Sequence, residues 1–161
     1  MTREKKGTAL ENLSYGIHVV TTKSGDIVAG FTASWVAQVS FAPPQLMVAV
    51  KTESYAHKII EDGGVFAVNI LPESHADLAR KFSPGVHESS ETFSEFPSVP
   101  KKTGAPILKD ALAYIECNVV SASEPGDHTL FVGEIVASGV PGKGNPLTTS
   151  NSDLYYHPGE E

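Results

Sequence analysis

The 161-residue chain has a single cysteine and no long apolar run. Cys117 cannot form a disulfide within the chain. The longest apolar run, LMVAV at 46–50, is far shorter than the roughly 20 residues that a membrane-spanning helix needs. The N-terminus, MTREKKGTAL, lacks the apolar centre of a secretory signal. These features predict a cytoplasmic protein that does not enter a membrane.

Positive charge is also scarce. The chain has 12 lysines and arginines against 19 aspartates and glutamates, a net charge of −7. This balance argues against nucleic acid and anionic membranes as partners, since both are bound by basic side chains that neutralise phosphates. A small anionic ligand remains possible, because a few local donors are enough to bind it.

Several catalytic motifs are absent. The segment GVPGKG at 139–144 lacks the spacing of a phosphate-binding loop and precedes Asn145–Pro146, so it is interpreted as a turn. The 6 histidines form no HExxH pair, and Cys117 has no cysteine or histidine close by in sequence. No nucleophile-elbow motif occurs. The sequence therefore predicts neither a metal site nor a hydrolase.

The pattern that is present is mainly β. At 161 residues and 40% hydrophobic composition, the chain fits one globular domain over residues 1–161. Ser24–Asp26 and Pro125–Asp127 are typical of hairpin turns, and Pro43–Pro44 should end a strand, so consecutive strands should be antiparallel. Strands are predicted at 16–22, 26–41, 45–50, 65–71, 113–123 and 129–140.

Two short helices, each of about 8 residues, should interrupt the strands. The first follows the N-cap Ser54 and stops at Gly63, and the second opens with the capping-box-like pair Ser74 and Asp77. Residues 84–106 are predicted to form a long excursion, which is often functional or mobile. Among architectures with many strands and few helices, a barrel is favoured because closure removes exposed edges.

The stretch GFTASWVAQVSF at 30–41 reads as one half-buried strand, with alternate residues on opposite faces. One face is polar and carries Thr32, Ser34, Gln38 and Ser40. This row either faces water or forms a surface for a ligand, and the stretch alone does not decide between them.

Potential phosphate ligands lie on neighbouring segments. A phosphate can be held by helix N–H groups, hydroxyls and one or two fixed cations. Each candidate also has an ordinary structural role, such as helix capping or complementing a helix dipole. The candidates are Thr32, Ser34, Lys51, Ser54, His57, Arg80 and Lys81.

In their order along the chain, the predicted strands, turns and helices resemble those of the flavin reductase-like family of FMN-binding split barrels. The resemblance runs through residues 15–71, 78–83, 126–136 and 146–156, most of the chain apart from the N-terminus and the excursion. It rests on the combination of GxTxSW at 30–35, SxxPP at 40–44 and GDHxxxxGE at 126–134.

The resemblance implies a mainly β fold, a Greek-key-like split β-barrel that binds FMN and forms a homodimer. It implies hydride transfer from NAD(P)H to flavin, with His128 near the flavin face where nicotinamide approaches. It further implies that the polar row at 30–41 supports the cofactor. The cofactor-binding residues implied are Thr32, Ala33, Ser34, Trp35, Val50, Lys51, Ser54, His57, Arg80 and Lys81.

Three functions are compatible with these observations. The first is an NAD(P)H-dependent flavin oxidoreductase that reduces free flavin or a downstream acceptor. The second is an FMN-carrying electron-transfer protein that serves a separate redox partner protein. The third is a barrel that has kept the fold and lost the flavin. The sequence does not distinguish NADH from NADPH, and any iron-sulfur or rubredoxin centre must lie on another chain.

Overall fold

The computed structural model describes residues 9–87 and 90–156. Its helices are α1 Tyr55–Gly63, α2 Ala76–Phe82 and α3 Glu91–Glu95, with 3₁₀ turns at Ala9–Asn12 and Glu73–His75. Its strands are β1 His18–Ser24, β2 Ile27–Ala33, β3 Val36–Phe41, β4 Pro44–Lys51, β5 Val65–Ile70, β6 Val86–His87, β7 Ser98–Pro100, β8 Pro106–Leu108, β9 Ala113–Ser123 and β10 His128–Gly139.

Most of these strands belong to one antiparallel sheet. Its 8 strands follow the order β3-β4-β10-β9-β5-β1-β2-β6, and β7 and β8 form a separate 2-stranded sheet. The predicted hairpins β1–β2, β3–β4 and β9–β10 are all present and antiparallel. The prediction of a mainly β chain with a few short helices is confirmed.

The single strand predicted over 26–41 is wrong. The chain forms β2 up to Ala33, leaves the sheet at Ser34 and Trp35, and resumes as β3 at Val36. β2 pairs with β1 and β6, whereas β3 pairs only with β4 and forms an edge of the sheet. The alternating pattern continues through a segment that changes its pairing partners, and no glycine or proline marks the change.

The burial of residues 30–41 also differs from the predicted alternation. Ala33 and Ser34 are adjacent in sequence and both buried, although strict alternation would place them on opposite faces. On β3, Val39 is 50% exposed and Phe41 is 89% exposed. The apolar row of the predicted strand is therefore buried or half-buried up to Trp35 and exposed from Ala37 onward.

The helices follow the prediction in part. Ser54 caps α1 by accepting a hydrogen bond from the His57 amide, as predicted, but the left-handed residue that ends the helix is Gly64 rather than Gly63. The predicted capping box on α2 is wrong. The Ser74 hydroxyl bonds the His75 ring instead, and a 3₁₀ turn precedes the helix.

The 84–106 excursion has structure of its own. It contains β6, α3 and β7, and β7 pairs with β8. Residues 88 and 89 within it lie outside the described part of the chain, as does His157. Phe93 and Phe96 pack against Phe82 on α2, so this segment covers one face of that helix.

The inside of the sheet is densely packed around Phe66, Val48 and Phe131. Gly133 lies on β10 where a Cβ would come within 2.5 Å of the Cys117 side chain and 2.8 Å of Phe66. A glycine is required there because the side chains leave no room for a methyl group. Burial raises the pKa of the Cys117 thiol to about 12, so it remains protonated at neutral pH. No helix in the described residues is long and apolar enough to span a membrane.

His18 at the start of β1 is a half-buried titratable group with a buried Nδ1 atom. Its Nδ1 has no hydrogen-bond partner among the residues that the structure describes, and desolvation lowers the pKa of its ring to about 4. The folded protein therefore holds this histidine neutral at pH values where an unfolded chain would protonate it.

We expect His18 to make folding sensitive to mild acid. The unfolded chain takes up a proton at His18 near pH 6.5, whereas the folded chain does so only near pH 4. The free energy of unfolding should therefore fall as the pH decreases through this window, by about 2 kcal/mol between pH 7.5 and 5. Urea unfolding of wild type and His18→Phe at both pH values measures this contribution.

His75→Gln is the control, because His75 lies near the surface on a 3₁₀ turn. The control should retain the pH dependence of the wild type, and His18→Phe should lose about 2 kcal/mol of it. An identical pH dependence in wild type and His18→Phe would contradict this account of the buried ring.

Candidate functional site

A cavity of about 820 Å³ is lined by strands from both ends of the main sheet, β2 and β6 from one end and β4 and β10 from near the other. Its wall is formed by β2, the Ser34–Trp35 break, the end of β4, the first residues of α1, one face of α2, β6, the start of β10 and the segment before residue 157. Most of the predicted site residues converge on this cavity, although they are distant in sequence.

Ser34 and Trp35 line the cavity from the strand break. The Ser34 side chain is buried, and its Oγ has no hydrogen-bond partner among the described residues. A buried hydroxyl without a partner is costly in a protein interior. Because Ser34 lies in the cavity wall, a polar ligand in the cavity would supply the hydrogen bond that its hydroxyl lacks.

Thr32 also lines the cavity, but its hydroxyl is used within the chain. Its Oγ1 donates a hydrogen bond of 2.6 Å to the Ala79 carbonyl on α2. The side chain therefore ties β2 to α2 and fixes the position of that helix beside the cavity. Ala33, Val50 and Lys51 complete this part of the wall.

The N-terminus of α1 faces the cavity through Ser54, Tyr55 and Ala56. Ser54 accepts from the His57 amide at 3.2 Å, so its hydroxyl acts as the helix cap. The first-turn amides of a helix have no partners within the helix and carry a partial positive charge. This end of α1 therefore suits an anionic group even though the chain as a whole is acidic.

The two adjacent cations of α2 have different surroundings. Arg80 lines the cavity and forms an ion pair with Asp153. Lys81 is not part of the cavity wall and pairs with Glu95 on α3, with 3.7 Å between Nζ and Oε2. The structure thus brings Arg80 to the site and leaves Lys81 outside it.

His57 is also outside the cavity wall. Its Nε2 hydrogen bonds with the Thr129 hydroxyl at 2.7 Å, and its ring packs against Phe131 in the sheet interior. The helix turns this side chain toward β10, away from the Ser54 end that faces the cavity.

His128 lies at the start of β10, directly opposite Lys51 on β4. The ring is 7% exposed, with Nδ1 at 2.7 Å from the Asp127 carboxylate and Nε2 at 2.9 Å from the Tyr156 hydroxyl. The hydrogen bond from His128 is the main reason why the pKa of Asp127 is lowered. The ring also contacts Trp35, with 4.8 Å between centroids.

Several cavity residues were not predicted from the sequence, among them Tyr55, His87 and Tyr156. Tyr55 and His87 stack on each other at the cavity wall with their ring centroids 4.0 Å apart, and Tyr156 contacts both Trp35 and His128. Tyr156 lies in a matching segment of the family resemblance, which was the available signal. Nothing in the local pattern indicated that β6 or the segment after β10 returns to the site.

The cavity combines an aromatic wall, a helix N-terminus, an arginine and a buried hydroxyl. Together these groups suit a ligand with a flat ring and an anionic group. Within the described ranges, no cluster of three or more histidine, cysteine or acidic residues could hold a metal ion.

Residues 10–159 match the family described as "Flavin reductase like domain". The chain belongs to this family, and the predicted resemblance is confirmed. Its solved neighbours include flavin reductases and an NADH:FAD oxidoreductase.

Two solved structures support this assignment. The flavin reductase of styrene monooxygenase from Pseudomonas putida S12 is 31% identical with a TM-score of 0.75, over 87% of this chain and 88% of that one. The NADH:FAD oxidoreductase of Streptomyces globisporus C-1027, in complex with NAD and FAD fragments, is 27% identical with a TM-score of 0.80, over 94% and 91% of the two chains. The predicted split β-barrel is thereby confirmed.

Curated relatives are larger proteins. Diflavin flavoprotein A 1 of Synechocystis sp. is 34% identical over 132 residues, which are 79% of this chain and 22% of the relative. The chain spans between 20% and 25% of the length of the relatives of this kind that it matches.

Proposed function

We propose that this protein is an FMN-dependent oxidoreductase that moves a hydride from NAD(P)H to flavin and then reduces free flavin or a downstream acceptor. The observation that carries the proposal is the buried, unpartnered Ser34 hydroxyl in the wall of an 820 Å³ cavity, directly before the chain's sole tryptophan. Membership of the flavin reductase-like family supports it.

The residues present fit a flavin mononucleotide. The Trp35 ring offers an aromatic surface, Ser34 offers a hydroxyl, and Arg80 with the first turn of α1 offers donors for a phosphate. We leave His57 and Lys81 out of the proposed set because neither lines the cavity. The residues proposed to hold FMN are Thr32, Ala33, Ser34, Trp35, Val50, Lys51, Ser54 and Arg80.

A bound flavin would supply the ring that accepts the hydride. The protein's own contribution is positioning, because hydride transfer requires close and aligned rings and no protein nucleophile. The fixed strand break and the Thr32–Ala79 hydrogen bond hold the cavity wall in place. Backbone N–H groups and Lys51 beside the cavity provide positive electrostatic potential for negative charge on the ring.

His128 is the proposed residue on the nicotinamide side. Asp127 is an acceptor when ionised, so Nδ1 of His128 donates to it, and Nε2, which contacts the Tyr156 hydroxyl, is the nitrogen proposed to meet a ligand. A nicotinamide carboxamide has both N–H donors and a carbonyl acceptor with which to bind this nitrogen. The NAD complex of the Streptomyces relative supports a nicotinamide nucleotide as the second ligand.

We further propose that the protein is a homodimer. On the edge strand β3, Val39 and Phe41 expose apolar side chains, and the strand begins directly after Trp35 in the cavity wall. A second copy that covered this strand would lie next to the cavity.

A second candidate is an FMN-carrying electron-transfer protein. The observation that favours it is the name and size of the curated relatives, diflavin flavoproteins in which the matched region is about a quarter of the chain. In this reading the cavity holds FMN tightly and a separate redox centre exchanges electrons with it.

Flavin loading followed by reduction tests the main proposal. Purified protein is mixed with FMN, desalted and examined by visible spectroscopy before and after anaerobic NADH or NADPH, with FMN alone as the control. We expect a retained flavin band that one of the nucleotides bleaches, because the cavity provides sites for both the ring and the phosphate.

A retained band that neither nucleotide bleaches would favour the electron-transfer protein. The proposal would be contradicted by the absence of a retained band together with no nucleotide oxidation in excess FMN or FAD.

Arg80 and Lys81 form a matched pair for testing the phosphate end. Arg80→Gln should weaken FMN binding by about 10- to 100-fold, since a charge-assisted hydrogen bond contributes roughly 1.5–3 kcal/mol. Lys81→Gln removes the same charge from a side chain outside the cavity and should change the Kd by less than about twofold. Fluorescence titration with FMN measures both values, and equal losses in the two variants would contradict the assignment of Arg80.

A further inference from the structure

Tyr156 is the last residue that the structure describes, and it returns to the cavity from the far end of the chain. Its hydroxyl is 2.9 Å from Nε2 of His128. Its ring meets Trp35 nearly edge-on, with 5.0 Å between centroids and 81° between planes. Tyr156 therefore contacts His128, the proposed residue on the nicotinamide side, and Trp35, which is proposed to hold FMN.

The Tyr156 hydroxyl occupies the one nitrogen of His128 that Asp127 leaves open. The hydrogen bond to Nδ1 lowers the pKa of Asp127, so the carboxylate is ionised at neutral pH and can only accept. Nδ1 therefore donates to Asp127, and Nε2 is the nitrogen that bonds the Tyr156 hydroxyl.

Both nitrogens of His128 are thus engaged within the chain, one by Asp127 and one by Tyr156. The ring itself is 7% exposed. A ligand group that hydrogen bonds with Nε2 requires the position that the tyrosine hydroxyl occupies, 2.9 Å from this nitrogen. The two interactions cannot be made at once.

We infer that Tyr156 is a displaceable cover over His128, and that a nicotinamide carboxamide must replace its hydroxyl at Nε2 in order to bind. The inference rests on the proposed function, since it names how the second ligand enters the same site. It makes Tyr156 a residue that sets the affinity for nicotinamide nucleotides.

Tyr156 lies outside the strands, directly after a segment that is held in place. Residues 151–156 form no helix or strand, and Asp153 is anchored by its ion pair with Arg80. Displacement of the Tyr156 side chain breaks its hydrogen bond to Nε2 and no strand pairing. The nucleotide binds only those molecules in which Tyr156 has left Nε2. The apparent Kd for the nucleotide is therefore the intrinsic Kd divided by the fraction of such open molecules.

Tyr156→Phe tests the inference because it removes the hydroxyl and keeps the ring. A neutral hydrogen bond contributes roughly 0.5–1.5 kcal/mol, so its loss should tighten nicotinamide binding by about 2- to 10-fold. Calorimetric titration of the FMN-loaded protein with NAD⁺ and NADP⁺, oxidised forms that carry no hydride, measures the Kd. Tyr114→Phe is the control, since Tyr114 lies on β9 beside Lys101 and does not line the cavity.

A spectroscopic readout on the protein without ligands is independent of activity. In ¹⁵N spectra of the histidine side chains, Tyr156→Phe should shift the Nε2 resonance of His128 and leave that of Nδ1 almost unchanged, because only the Nε2 partner is lost. Tyr114→Phe should leave both resonances in place.

The outcomes separate the inference from the proposed function. The inference that Tyr156 covers His128 is contradicted by an unchanged Nε2 resonance, or by nucleotide binding to Tyr156→Phe that is no tighter than binding to the wild type. Either result leaves nicotinamide binding itself intact. If the wild type binds neither NAD⁺ nor NADP⁺, both the proposed function and the inference about Tyr156 are contradicted. Tighter binding together with the Nε2 shift supports the inference.

Discussion

The site depends on a change of hydrogen-bonding partners in the middle of one extended segment. β2 pairs with β1 and β6, β3 pairs with β4, and Ser34 and Trp35 between them belong to neither strand, although the Trp35 carbonyl accepts a hydrogen bond from the Ala49 amide. Residues inside a paired strand have their backbone groups and side-chain directions fixed by their neighbours. The change of partners places a buried hydroxyl and an aromatic ring in the wall of one cavity. The other cavity residues are arranged around this break.

The charges of this protein attract an anionic ligand at the cavity but not at long range. The net charge of −7 gives no general affinity for anions, yet the cavity has the N-terminus of α1, Lys51 and Arg80 in its wall. Helix N-terminal donors act within a turn of the helix, so they can bind a phosphate in an acidic protein. Asp153 pairs with Arg80, and Asp127 with His128, so the acidic residues also hold the site's basic groups in place.

Local features could be read from the sequence, and features set by tertiary packing could not. The Ser54 cap and the hairpin turns depend on a few adjacent residues and were predicted correctly. The strand break was missed because both halves have the same alternating pattern. Arg80 and Lys81 are equivalent in sequence but point about 100° apart on a helix, and the packing of α2 decides which one faces the cavity. Tyr156 lies in a segment without regular structure, so no periodicity indicated its contacts.

We propose that the break between β2 and β3 forms a flavin site, and Trp35 provides a direct probe of it. As the chain's sole tryptophan, it reports on the cavity without labelling. We would titrate the protein with FMN and follow tryptophan emission. We expect saturable quenching that ends at one FMN per chain. Emission that changes only in proportion to the absorbance of added FMN would contradict it.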